Sequence, residues 1–160
     1  RAASQYDYEQ LADVNHHPRV DYIVPMPMNG RRMREYVTNY DIDLDGSVVS
    51  INTEGLETGV GMLGLRGDRS WVTRLGVIPE RRERHIGQFL MESMLDQALQ
   101  KGCRTSQLEV IVGNEPAHRL FVKLGFEETR EVLLRRRRRV QPLLHLVLRL
   151  RGGRTGGGAA

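Results

Sequence analysis

The 160-residue sequence holds one cysteine, Cys103, and two lysines, Lys101 and Lys123. A lone cysteine excludes an intramolecular disulfide and any cysteine-cluster metal site. The five histidines add no metal-ligand spacing: His16 and His17 are adjacent and the others are scattered, so no metal is expected. No apolar run approaches the roughly 18 residues that a membrane-spanning helix needs, and no membrane partner is expected. The first residues do not show the basic-then-apolar order of a secretion signal. These absences together point to a cytoplasmic protein. Acid is missing from one region only. Residues 135–160 hold eight arginines and no Asp or Glu, and removing those eight charges from the net +4 leaves −4 on residues 1–134. The basic character belongs to the tail and says little about what the body binds.

The remainder is ordinary for one globular domain. Hydrophobic residues make up 39% and charged residues 28%, and a chain this long can bury a single core. Helical signals cover residues 8–14 and 29–40, the second with Met33, Tyr36 and Val37 on one face. Strand signals cover residues 48–52, 60–65 and 71–77, separated by turns. From Ile86 the helical period is clear, with Ile86, Phe89, Leu90, Met94 and Ala98 on a shared face and Gly102 at the end. Residues 108–112 read as a strand. Asn114 is a good N-cap residue with Pro116 in the first turn behind it. Ala117, Leu120, Phe121 and Leu124 follow at helical spacing, and Gly125 ends that helix. Residues 131–135 and 143–150 are candidate strands. The order is helix, helix, three strands, helix, strand, helix and two strands. It predicts an α/β (α+β) layering of helices on a mixed sheet. One domain is expected over residues 1–150. Residues 151–160, rich in glycine, are expected to be a disordered tail.

Chemistry concentrates between residues 71 and 126. A strand runs into Pro79 and a charged loop, and then a helix opens. Arg82, Arg84 and His85 crowd that helix start. Cations there oppose the helix dipole by a few tenths to about 1 kcal/mol each, so the site suits an anion. A solvated basic turn would look the same on charge alone. The spacing adds more. Val77-Ile-Pro79 leads to Arg82-Glu-Arg-His-Ile-Gly87, and later come Leu108-Glu-Val110, Asn114-Glu-Pro-Ala117 and Leu120-Phe-Val-Lys-Leu-Gly-Phe126.

This pair of motifs, in this order, resembles the GNAT acetyltransferase family. The resemblance implies a mostly antiparallel, twisted mixed sheet flanked by helices. It also implies that Arg1-Ala-Ala-Ser-Gln-Tyr-Asp-Tyr corresponds to the junction of the family's first strand and first helix, so the first strand is expected as a stub. Acetyl-CoA or CoA is the implied co-substrate. Its pyrophosphate would lie on the turn of Arg82, Glu83, Arg84, His85, Ile86, Gly87 and Gln88. The pantetheine would pair along Leu75, Gly76 and Val77, where strand 71–77 splays from strand 108–112. Asn114, Ala117 and Phe121 would complete the cofactor site. An acceptor amine, on a small molecule or a peptide, would attack the thioester directly. Asn114 marks the place for an oxyanion-stabilising N–H or water, and Glu109 is the candidate base.

Two residues depart from the family pattern. His85 replaces a glycine, although His is among the side chains that tolerate positive φ. Phe121 stands where the family often has a tyrosine acid, a role typically worth about 10²–10⁴-fold. Glu109 is equally readable as a plain exposed glutamate, and Asp68 and His118 are weaker bases. Cys103 reads as incidental, and Met26 and Met28 as ordinary loop packing or an acceptor wall. Two other readings compete: a catalytically silent acyl-CoA-binding module, suggested by Phe121 and by the lack of a clear base, with no carboxylate on strand 71–77, and an anionic-surface or nucleic-acid binder acting through Arg135, Arg136, Arg137, Arg138 and Arg139. The last lacks interleaved aromatics. The acceptor and the oligomeric state, a dimer included, stay open.

Overall fold

In the computed structural model, residues 1–19, 27–81, 85–136 and 139–151 are described. The elements are α1 (Tyr8–His16), α2 (Gly30–Asn39), β1 (Val48–Ile51), β2 (Glu57–Arg66), β3 (Arg69–Val77), α3 (Ile86–Gln100), β4 (Thr105–Ile111), α4 (Glu115–Lys123), β5 (Glu127–Arg136) and β6 (Arg139–Arg149). The order is the expected one. The strands form a six-stranded sheet in the order β1-β2-β3-β4-β6-β5. All pairs are antiparallel except β3 with β4.

Local chemistry sets the helix starts. Asp7 accepts from the Gln10 N–H while the Gln10 side chain accepts from the Asp7 N–H, a reciprocal cap on α1. Asn29 accepts from the Arg32 N–H at the start of α2. The two faces of the sheet then bury separate clusters. Val60 and Met62 of β2 pack with Leu11 of α1 and Met33 of α2, and Tyr36, Val37 and Met28 lie against that cluster. Leu63 belongs to the other cluster, with Leu90, Met91 and Met94 of α3 and Phe121 of α4. Full burial of each such side chain contributes about 1.5–3 kcal/mol. A Cβ on Gly61 would lie 2.3 Å from Met94 Cε, so α3 rests directly on β2.

The face of α3 differs from expectation at Phe89, which is 57% exposed. The buried stripe is Leu90, Met91, Met94, Leu95 and Ala98, continuing from Gly87 at helical spacing, and Phe89 falls outside it. At one sheet edge, Ala2 forms a single bridge to Val48, and the Val49 N–H donates to Arg1 O at 2.8 Å. This short contact is all that precedes α1 in the sheet.

The C-terminal hairpin completes the other edge. β5 starts at Glu127, immediately after Phe126, earlier than the periodicity predicts. β6 runs between β4 and β5, in register with β4 from Thr105↔Arg149 to Ile111↔Leu143. Arginine repulsion does not prevent this. Arg135 and Arg139 are exposed, where water and salt screen charge, while Leu146 and Leu148 are buried in the α3–α4 cluster. Residues 152–160, read above as a tail, lie outside the described residues.

Candidate active site

The site begins with a strand pair that separates. β3 and β4 pair in parallel only at Arg69↔Thr105, Ser70↔Ser106 and Trp71↔Gln107. Among the described residues no further pair joins them, so Val72 to Val77 and Leu108 to Ile111 diverge. Each strand keeps its outer partner: β3 stays on β2 as far as Val77↔Gly59, and β4 stays on β6 as far as Ile111↔Leu143. A bulge on β3 adds to the divergence. Val60 pairs Gly76 and Met62 pairs Thr73, which leaves Arg74 and Leu75 opposite Gly61. Arg74 has φ 53°, a left-handed turn of the chain that increases local twist. Its guanidinium stacks 4.9 Å from the Tyr36 ring centroid on α2. Gly59 and Gly76 approach closely: a Cβ on Gly59 would stand 2.9 Å from the Gly76 carbonyl oxygen.

The start of α3 lies beside the end of β3, where a Cβ on Gly87 would stand 3.9 Å from Val77 Cγ2. The Phe89 N–H donates to His85 O at 3.0 Å, so the N–H groups of Ile86, Gly87 and Gln88 precede the helical ladder. The helix has no side-chain cap and no acid in its first turn. His85 takes the left-handed conformation, φ 57° and ψ 18°, which is the conformation a glycine would supply. Gly87 also lies against α4: a Cβ there would be 3.3 Å from Leu120 Cδ2. Lys123 Nζ donates to Gln88 Oε1 at 3.0 Å, tying α4 to the same turn. Donors without acids suit a phosphate. Arg82, Glu83 and Arg84 of the same motif lie outside the described residues, as does Met26.

The remaining residues divide by face. Leu108 and Val110 are buried toward α3 and α4, and Glu109 between them is exposed on the opposite face. Glu109 stands two residues past the last β3–β4 pair, at the throat of the cleft. Asn114 occupies the N-cap position of α4 with φ −84° and ψ 72°, but its side chain makes no capping bond, contrary to the capping role expected from its type. Ala117 packs at the edge of the α3–α4 cluster, and Phe121 is buried there, its ring centroid 6.1 Å from that of Phe126. His118 Nε2 is engaged by Glu128 Oε1 on that same side, away from Glu109. Burial first, and the Asp68 carboxylate second, raise the Cys103 thiol above its usual range, which disfavours a thiolate nucleophile. Among the described residues no group of three or more His, Cys, Asp or Glu could hold a metal ion, and no helix is long and apolar enough to cross a membrane.

Sequence reasoning passed over His145, Gln107 and Thr129. The His145 ring lies between the other two on the Glu109 face, 2.5 Å from Thr129 Oγ1 and 3.3 Å from Gln107 Oε1. The available signal was one polar residue inside the apolar run Leu143-Leu-His-Leu-Val-Leu148.

A parallel strand pair that opens against a helix start is the architecture of an acyltransferase domain. Residues 13–126 match the acetyltransferase (GNAT) family, and the chain belongs to that family. A Bacillus subtilis (strain 168) protein provisionally named a [ribosomal protein bS18]-alanine N-acetyltransferase is 33% identical over 60 residues, which span 38% of this chain and 40% of that relative's length. Two solved structures share the fold. The ribosomal-protein-alanine N-acetyltransferase of Brucella melitensis has a TM-score of 0.73 at 20% identity, covering 94% of this chain and 98% of its own. The yncA protein of Salmonella typhimurium, solved with its cofactor acetyl-CoA, has a TM-score of 0.72 at 20% identity, covering 100% of this chain and 95% of its own.

Proposed function

We propose that this chain transfers an acetyl group from acetyl-CoA to the α-amine of a peptide or protein N-terminus. The splay of β3 from β4 beyond Trp71↔Gln107 carries the reading. The pyrophosphate would lie on the N–H groups of Ile86, Gly87 and Gln88 beside His85, with Arg82, Glu83 and Arg84 from the same motif. The pantetheine would follow Leu75, Gly76 and Val77 into the cleft. Leu75 and Val77 already take part in other interactions of the fold, so the reading rests on the divergence of the strands. Ala117 and Phe121 would flank the cofactor from α4.

Glu109 would accept a proton from the arriving ammonium group. The neutral amine then attacks the thioester carbonyl, the new C–N bond forms, and the C–S bond breaks. The second amine proton passes to the departing thiolate, giving CoA thiol and the amide. A thiol of ordinary pKa, about 8.5, leaves without a tyrosine acid at position 121. An N–H or a water at Asn114 would hold the carbonyl oxygen as it becomes negative. The α-amine as acceptor is supported by the names of the Bacillus and Brucella relatives, both alanine N-acetyltransferases.

The test is acetyl transfer to peptides with a free N-terminal alanine, beside spermidine and lysine, with calorimetric titration of acetyl-CoA. Binding with no turnover of any amine would favour the silent acyl-CoA module, which the protonless Phe121 and the absence of a carboxylate on β3 support. No binding at millimolar acetyl-CoA would end both readings. Loss of turnover by Glu109→Gln with unchanged acetyl-CoA affinity supports its role as base.

A further inference from the structure

His145 is 8% exposed and sits on the Glu109 face of the sheet, on β6 between β4 and β5. It pairs across the sheet with Glu109 of β4 on one side and Arg130 of β5 on the other. Residues directly opposite in an antiparallel pair share a face, with Cβ atoms about 4.5–5.5 Å apart. Glu109, His145 and Arg130 therefore form one row, and among the described residues of β4 and β5 the next charged group on that face is Glu127, opposite Val147. On β6 itself, the neighbours on the same face are Leu143 and Val147, both apolar. The row stands beside the fork of the cleft, because Gln107, which holds the ring, is the last β4 residue paired to β3.

The hydrogen bonds of the ring allow two charge states without movement. Gln107 Oε1 accepts, so Nε2 carries a proton. Thr129 has one hydroxyl proton and two acceptors for it, the His145 carbonyl oxygen at 3.1 Å and Nδ1 at 2.5 Å. With the hydroxyl turned to Nδ1 the ring is neutral. With it turned to the carbonyl, Nδ1 must carry its own proton, and the ring is an imidazolium. Rotation of one hydroxyl separates the two states.

We propose that His145 is a positioning residue for acetyl transfer: a proton-switchable ring, set by Thr129 and Gln107, whose charged form holds the facing Glu109 as a carboxylate ready to receive the proton of the acceptor amine. This rests on the reading of Glu109 as the base.

The test is a double-mutant cycle of Glu109→Gln and His145→Gln, with acetyl-CoA and a peptide bearing an N-terminal alanine. Gln preserves polar contacts but does not titrate. His145→Gln is expected to lower kcat about tenfold, to leave KM for acetyl-CoA unchanged and to alter the shape of the kcat–pH profile. The double variant should be no slower than Glu109→Gln alone, as expected for residues acting through one another. Thr129→Val, close to isosteric, should reproduce part of the loss and keeps the test open if His145→Gln folds poorly. Ring-nitrogen NMR supplies a readout without any acceptor: the titration curve of His145 should move when Glu109 becomes Gln, since loss of a facing negative charge makes the imidazolium less favoured. Additive losses, an unchanged pH profile or an unmoved NMR curve each overturn the inference while leaving Glu109 as base. Full activity of Glu109→Gln overturns the base reading itself, and this inference falls with it.

Discussion

Position 85 separates backbone from side-chain capture of the phosphate. His85 stands at φ 57° and ψ 18°, exposed and without a capping bond. A residue with a Cβ loses roughly 1–2 kcal/mol in that region, with His on the tolerant side. His85→Gly removes the strain. It also widens the unfolded ensemble, which costs about 0.4–1 kcal/mol. The net change lies between zero and about 1 kcal/mol of stabilisation. In a chain of this size 1 kcal/mol moves Tm by about 2–4 °C, so the variant should melt level with the parent or up to about 4 °C higher. His85→Val, β-branched, should melt several degrees lower. Thermal melting of the three proteins reads this directly. Calorimetry with acetyl-CoA reads the second half. If the N–H groups of Ile86, Gly87 and Gln88 do the binding, His85→Gly binds at least as tightly as the parent. A tenfold weaker Kd, about 1.4 kcal/mol, would show that the imidazole itself meets the phosphate. A His85→Gly protein melting below His85→Val would refute the conformational argument altogether.

Three further outcomes are expected. Gly59→Ala would place a methyl 2.9 Å from the Gly76 carbonyl oxygen. It should cost about 1–3 kcal/mol and weaken acetyl-CoA binding, and unchanged calorimetry would mean that the β2–β3 contact does not shape the cleft. Phe121→Tyr should raise kcat about tenfold or more if the hydroxyl reaches the departing sulfur, and an unchanged kcat with a lower Tm would show that the new hydroxyl is merely buried. Cys103, its thiol raised by burial and then by Asp68, should resist iodoacetamide at pH 8 in the native protein and react promptly after denaturation. Equal rates in the two states would contradict that burial.

The elements most legible in the sequence are those written in repeated local signals. The helix from Ile86 and the helix from Asn114 carry both period and terminators, and each was placed to within a residue or two. The end of β3 at Val77 was legible because Pro79, two residues on, fixes φ and offers no N–H to the ladder. Less was legible wherever long-range pairing decides. β5 begins at Glu127 because β6 offers it partners from Val147 onward, and no local feature of Glu127 or Glu128 announces a strand. The bulge at Arg74 has no glycine to mark it. His145 gains its neighbours, Gln107 and Thr129, only once three strands are aligned, so its place beside Glu109 could not be read along the chain.

The arginine-rich hairpin supports one wall of the cleft. β4 leaves β3 after Gln107, and from Leu108 to Ile111 its described ladder runs to β6 alone, on the edge away from β3. β6 keeps that outer edge in the sheet, from Leu146 opposite Leu108 to Leu143 opposite Ile111, so β4 stays anchored where β3 turns away. Its side chains divide the work by face. Leu144, Leu146 and Leu148 turn toward α3 and α4, and His145 turns to the Glu109 face. The arginine-rich segment therefore anchors β4, the strand that forms one wall of the cleft. Its apolar alternation, and not its charge, is the feature that fits it to that position, which is why the run of arginines is a poor guide to what the protein binds.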